Sequence, residues 1–427
     1  MASCSKLSDR RQFLNFLAAS PVLAYSGTAS GLVYELLSRP LEAQEMSLAP
    51  KDAMVIKSVK EALTVMDFDA AARAKLPIAH YEFITDGSFY DETVKANRDG
   101  FQKYQIRMRR LTGVNKVDES VRIFGVNWES AIFLCPVGRM NAYYPQGAAT
   151  VARAAKAQHT LQILSAAEGI QGLEEVNAAR GEPVWVALSG KTPEPSMVKQ
   201  IEAAGCPVLV WTVDTVAGAN TIGAKSIQRA GVADLSREAD SRCSGCHSSM
   251  PSPHRTRATD PMDIIGAVGG LPETNPRPTW DDVKRVKDIT SMKLVIKGIV
   301  SGDDAGLAVQ HGADAIIVSN HGGHEDASGR GTIECLPEVM QGAGGRIPVL
   351  VDGGFRSGAD AYKALALGAT AVGVGRPHIW GLSSFGQDGV ETVIEILRRE
   401  LQVVMAQTNA TSIDKISRDS LIPRNWS

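Results

Sequence analysis

The stretch Ala315-Ile316-Ile317-Val318-Ser319-Asn320-His321-Gly322-Gly323 runs from an uninterrupted apolar segment straight into a histidine set between an asparagine and two glycines. A short continuous apolar run of this kind reads as a parallel strand buried on both faces. Glycines at its carboxyl end let the backbone approach a ligand closely. The histidine is thus presented to a ligand rather than packed into a core.

Working outward, the run Ala315–Asn320 has seven counterparts: Ile132–Pro136, Leu161–Ser165, Val184–Leu188, Pro207–Asp214, Leu294–Gly298, Pro348–Gly354 and Ala371–Arg376. Helix-length segments such as Gly302–His311 and Gly358–Leu367 separate most pairs, and strand–helix alternation predicts parallel strands. Eight strands, none of the weaker kind that an open sheet needs at its edges, predict an α/β chain closed into a (β/α)8 TIM barrel. The full 427 residues exceed the ~250 of a bare barrel. The expected organisation is therefore a signal-like segment over 1–50, a barrel over 51–410 and a C-terminal tail over 411–427. Residues 217–282, rich in Ser, Pro, Gly and Arg, break the rhythm after the fourth strand and read as an inserted loop.

Composition narrows the function. A formal net charge of -2 leaves no basic footprint for nucleic acid. Hydrophobic residues at 44% and charged residues at 22% are ordinary for a soluble globular chain. Near the N-terminus, Arg10-Arg11-Gln12-Phe13-Leu14 precedes an apolar run, Phe16–Tyr25, too short to span a bilayer. Paired arginines before such a run resemble a twin-arginine export signal, which predicts an exported, periplasmic location; an ordinary amphipathic helix is the plainer reading.

In a TIM barrel the reacting groups gather at the carboxyl ends of the strands. Those ends here carry Pro136, Ser165, Leu188, Asp214, Lys297, His321, Asp352 with Gly353 and Gly354, and Gly375 with Arg376. The loops after the last two strands commonly bind phosphate. Both hold glycines whose N–H groups can face an anion, and both hold an arginine, Arg356 or Arg376, able to clamp it. A phosphorylated ligand is expected. Plainer readings are that Asp214 caps a helix, that Lys297 is a solvated strand end and that His321 is structural.

The segments Lys293–Gly323, Val349–Leu382 and Lys75–Phe101 together resemble the FMN-dependent 2-hydroxy-acid oxidoreductases, the family of glycolate oxidase, lactate oxidase and mandelate dehydrogenase. The likeness runs from about residue 60 to about residue 405. It implies FMN, a small hydroxy-acid substrate, a quinone or cytochrome as electron acceptor, and a homo-oligomer. It also implies that His321 is the base, that Asp214 orients it, and that Lys297 stabilises the reduced flavin. Asp352, Gly353, Gly354, Arg356, Gly375 and Arg376 match the ribityl and phosphate contacts, with Pro136, Ser165 and Thr212 completing the flavin-binding set. Substrate contacts fall on Phe83, His321 and His324.

The pattern frays around the substrate. Where the family has a carboxylate-binding arginine, this chain has His324; a second arginine falls near Asn220 or Thr221. Phe83 replaces a tyrosine, Ala166 follows Ser165 where a hydroxyl or amide is usual, and the end of the third strand, Trp185–Leu188, lacks the family's Gln-Leu-Tyr. A non-carboxylate substrate, or a barrel that binds FMN without turnover, are the alternatives.

Three of the six cysteines, Cys135, Cys206 and Cys335, lie in or beside apolar segments and read as small hydrophobes. Cys243-Ser244-Gly245-Cys246-His247 carries the C-x-x-C-H spacing of covalent haem c attachment, with His247 as iron ligand and Met250 or His254 as candidates for the opposite side. A disulfide, another metal site or chance spacing remain open.

Overall fold

A computed structural model describes residues 55–166, 172–215, 221–223 and 277–424. The chain divides into two units, Met1–Met54 and Val55–Ser427. The first lies outside the described residues, as do Cys243, Cys246, His247 and most of the inserted segment.

All eight expected strands form: β1 (Ile132–Leu134), β2 (Ile163–Ser165), β3 (Trp185–Ser189), β4 (Val208–Thr212), β5 (Lys293–Ile299), β6 (Ala315–Val318), β7 (Val349–Val351) and β8 (Ala371–Val374). They pair in parallel in a single order, with β8 returning to β1. Leu134 N–H donating to Leu161 O at 2.9 Å and a parallel bridge from Leu134 to Gln162 join β1 to β2, so the sheet closes. Helices α1 (Gly147–Ala157), α2 (Leu173–Arg180), α3 (Pro195–Ala203), α4 (Trp280–Ile289), α5 (Gly302–Gln310), α6 (Thr332–Ala343), α7 (Gly358–Ala366) and α8 (Arg376–Thr408) follow the strands in turn. The architecture is the TIM barrel that the sequence predicts.

The continuous hydrophobicity of the strands has a direct cause, because side chains alternate between faces and both faces are buried. Phe133, Ile163, Val208, Val210, Val295, Ile317, Leu350 and Ala371 fill the barrel interior. Their neighbours Ile132, Leu134, Leu209, Leu294, Ile296, Ile316, Val318, Val349 and Val351 pack outward under the helices. Burying each large apolar side chain contributes roughly 1.5–3 kcal/mol. At the amino-terminal end, Ile123 and Trp128 of the hairpin Val121–Ile123/Val126–Trp128 join the interior cluster, with Phe124 set 5.5 Å from Trp185. That end is plugged.

Three helices precede the barrel. Val65–Lys75 starts at Thr64, whose side chain and backbone are tied to Asp67 in a capping box. Ile78–Thr85 and Glu92–Asp99 follow. They reach the carboxyl-terminal rim of the barrel: Asn97 and Asn320 exchange a reciprocal pair of amide hydrogen bonds, both 2.9 Å. Near the C-terminus, Leu421–Pro423 pairs antiparallel with Tyr104–Ile106. Among the described residues, no helix is long and apolar enough to cross a membrane.

Candidate active site

The same two-residue alternation that fills the barrel also builds the site. Two residues beyond the interior Phe133, Val295, Ile317 and Leu350 stand Cys135, Lys297, Ser319 and Asp352, so the interior face turns polar at its carboxyl end. There Lys297 Nζ donates to Ser319 Oγ at 2.9 Å, and Ser319 Oγ donates to Asp352 Oδ1 at 2.6 Å. The Lys297 ammonium also lies 3.7 Å from Asp352 Oδ2, and Cys135 Sγ lies 3.7 Å from the same oxygen. Burial alone would lower the Lys297 pKa, but Asp352 and Asp214 outweigh it and hold the group above its ordinary range. A buried, firmly protonated lysine results.

Asp214 and His321 come from the ends of β4 and β6, with β5 between them. Asp214 Oδ1 nevertheless lies 2.9 Å from His321 Nδ1. Burial pushes the Asp214 carboxyl up, yet Lys297 and His321 together hold it below the usual carboxylate range. An ionised Asp214 can only accept, so Nδ1 of His321 carries a hydrogen, and the tautomer of the neutral ring that this contact selects has its lone pair on Nε2. His321 adopts φ 54, followed by Gly322 at 66 and Gly323 at 88. A non-glycine residue in left-handed backbone is uncommon, and here the turn is what lifts the imidazole over the rim. His321 N–H donating to Ser319 Oγ at 3.2 Å ties this turn to the lysine network.

The segments after β7 and β8 bring two half-buried cations together. Arg356 lies over the Trp380 ring at 4.7 Å and donates from Nη1 to Phe355 O at 2.8 Å. Burial and the neighbouring Arg376 push the Arg356 guanidinium down to about 9; burial likewise lowers Arg376 to about 10. A guanidinium weakened by desolvation and by a neighbouring cation suits an anion, and phosphate supplies one. Gly354, at φ 85, has no room for a side chain, since a Cβ would stand 2.1 Å from Asn97 O. The residues therefore fit the phosphate and pyrimidine ends of FMN.

Arg376 has a further task. Its Nε donates to Ile84 O at 2.6 Å, Nη1 to Gly322 O at 2.7 Å and Nη2 to Asp86 O at 3.1 Å, so it fastens the end of the Ile78–Thr85 helix to the His321 turn. Its Nη2 also lies 3.4 Å from His324 Nε2. Burial, then Arg376, then His321 hold His324 well below the ordinary histidine range; it is neutral. Phe83 lies 6.3 Å from His324, ring to ring, and His324 lies 6.5 Å from His321.

The structure thus brings His321, Asp214, Lys297, Asp352, Arg356, Arg376, His324 and Phe83 to one end of the barrel, together with the strand-end residues Pro136, Ser165, Thr212, Gly353 and Gly375. The haem signature cannot be placed, lying outside the described residues; among those residues no group of three or more His, Cys, Asp or Glu could hold a metal ion. Sequence reasoning overlooked Ser319, although its position two residues after Ile317 marks it as interior. It also overlooked Asn97, whose helix, Glu-Thr-Val-Lys-Ala-Asn-Arg-Asp, carries no such mark.

Comparison with known proteins agrees with this geometry. The sequence model of the FMN-dependent dehydrogenase family matches residues 72–423. The chain is 33% identical over 372 residues to a 2-hydroxyacid oxidase of Dictyostelium discoideum, covering 85% of this chain and 91% of that protein. It is 32% identical over 370 residues to an L-lactate oxidase of Lysinibacillus sphaericus, covering 83% and 92%. Among solved structures, an arginine-to-leucine variant of mandelate oxidase with 2-hydroxy-phenylacetamide superposes with a TM-score of 0.71 at 30% identity, covering 86% of this chain and 99% of that one. The chain belongs to the FMN-dependent 2-hydroxy-acid oxidase and dehydrogenase family, and it is an oxidoreductase.

Proposed function

We propose that this protein oxidises a small 2-hydroxy acid, of L-lactate type, to the 2-oxo acid, with His321 as the base. The observation that carries this reading is the 2.9 Å contact between His321 Nδ1 and Asp214 Oδ1 beside the buried Lys297. FMN would be held by Lys297, Asp352, Gly354, Arg356 and Arg376, and it supplies the two-electron acceptor. The protein's own part is proton management. Oxidising the C2 alcohol requires loss of the hydroxyl proton, and His321 Nε2 is the lone pair aimed away from Asp214 to receive it. Asp214 fixes that tautomer and stabilises the imidazolium that forms. Lys297 keeps a positive charge where the reduced cofactor gains negative charge.

Electrons would then pass to a quinone or cytochrome. The paired arginines Arg10 and Arg11 support export, and the C-x-x-C-H run at Cys243–His247 supports a covalent haem that could relay those electrons. A Soret band that survives acid-acetone extraction would carry the haem assignment; its absence would remove it.

A second reading is favoured by one observation: a neutral His324 and the hydroxyl-free Phe83 stand where the family places carboxylate-binding groups. An uncharged 2-hydroxy compound would suit such a wall. The mandelate oxidase variant with 2-hydroxy-phenylacetamide is a relative of that type. Anaerobic mixing with glycolate, L-lactate, L-mandelate and their amides tests both readings. Bleaching of the flavin by an acid supports the first, bleaching only by amides supports the second, and no bleaching overturns both.

A further inference from the structure

We propose that Arg139, in the loop after β1, is the cation that binds the substrate carboxylate. The inference rests on the hydroxy-acid reading above and supplies the charge that His324 and Phe83 lack. The other cations around His321 are engaged. Lys297 is buried on Ser319 and Asp352; Arg376 is held by the carbonyls of Ile84, Asp86 and Gly322; Arg356 lies over Trp380.

Arg139 is placed to meet this need. Its guanidinium carbon lies 5.4 Å from the centre of the Phe83 ring, and that ring lies 6.3 Å from His324, itself 6.5 Å from His321. The side chain is exposed, and among the described residues it makes no ion pair or hydrogen bond. Stacking on an aromatic face holds a guanidinium flat while leaving its forked N–H edge open, the geometry that matches a carboxylate. The backbone is unusual as well, with φ 61 and ψ 36 at Arg139. Left-handed backbone at a long side chain is the kind of local cost that clusters at binding sites. Ala142 N–H donating to Arg139 O at 2.9 Å locks the turn.

The same backbone supplies a clean test, because glycine is at ease at positive φ. Arg139→Gly removes the cation without straining the turn, and Arg139→Lys keeps the charge but loses the fork. In the purified full chain loaded with FMN, oxalate serves as an unreactive dianion whose binding is followed by calorimetry. Arg139→Gly should weaken oxalate about tenfold to a hundredfold, and Arg139→Lys should recover part of that loss. The ratio of KM for L-lactate to KM for L-lactamide should rise by a similar factor. Oxalate bound by Arg139→Gly as tightly as by the unaltered protein, or equal losses for acid and amide, would overturn the assignment. A wild-type protein that binds oxalate through Arg139 yet is reduced by no hydroxy acid would instead count against the hydroxy-acid reading alone.

Discussion

Asp214 reaches His321 by crossing β5 at Gly298, where a Cβ would stand 2.9 Å from the Asp214 Cβ and 3.0 Å from its Cγ. Gly298 has φ 109, and the pairing of β5 with β6 shifts register between Lys297 and Ile299. One local irregularity therefore points Lys297 inward and opens the gap that lets a carboxylate from β4 meet an imidazole from β6. Gly298→Ala should cost about 1–3 kcal/mol in backbone strain and displace Asp214. Flavin reduction should slow at least tenfold, even in protein that retains its FMN. Stopped-flow reduction together with urea unfolding checks it; an alanine variant of ordinary stability and rate would show that the gap is not needed.

His321→Asn should keep the fold and FMN but slow reduction by roughly two to four orders of magnitude, the range expected for losing a positioned base. Asp214→Asn should fall in the same range, because a neutral amide no longer dictates which imidazole nitrogen carries the hydrogen. Single-turnover reduction with the best hydroxy acid, and flavin content by absorbance, separate loss of chemistry from loss of cofactor. Reduction by His321→Asn at the unaltered rate would remove the base from His321.

The fold was legible because physical constraints repeat along the chain. Val208, Val295, Ile316 and Leu350 lie in strands buried on both faces, and such strands must be almost uniformly apolar. The site was legible where a residue type is improbable for its place, as with Lys297 within an apolar strand or His321 before two glycines. It was not legible where the signal lies in three dimensions. Asn97 is 223 residues from Asn320, and no local pattern announces that pairing. Arg139 reads as an ordinary loop cation until Phe83, distant in sequence, is seen beneath it. Arg376 was expected on phosphate alone, and its hydrogen bonds to Ile84 and Gly322 are an added role that the loop sequence does not encode.

Arg356 bears on cofactor affinity. It is half-buried, stacked on Trp380, and weakened as a cation by desolvation and by Arg376, so an anion beside it should be bound strongly. Arg356→Gln should weaken FMN about tenfold to a hundredfold, the loss of one charge-assisted contact. Arg356→Lys should recover only part of this, since an ammonium lacks the planar fork. Quenching of FMN fluorescence on titration into apoprotein gives the affinities directly. Equal affinity in Arg356→Gln would show that phosphate binds elsewhere.

His378 gives the fold an acid limit. Its side chain is fully buried at the start of α8, Nδ1 donates to Val374 O at 2.8 Å, and Nε2 is buried with no hydrogen-bond partner among the described residues. Burial lowers the group to about 4 from an ordinary 6.5. The unfolded chain therefore takes up a proton below about pH 6.5 that the folded chain refuses until near pH 4, and stability must fall as pH drops through that window. The loss from this group alone can reach about 3 kcal/mol, and the depressed His324 acts in the same direction. His378→Leu removes the proton site. Val374 O stays paired, because Cys135 N–H also donates to it at 3.1 Å. Urea unfolding at saturating FMN should show the leucine variant losing less stability than the unaltered protein between pH 7.5 and 5, by about 2 kcal/mol. Parallel losses in the two proteins would mean that the imidazole is already protonated in the folded state.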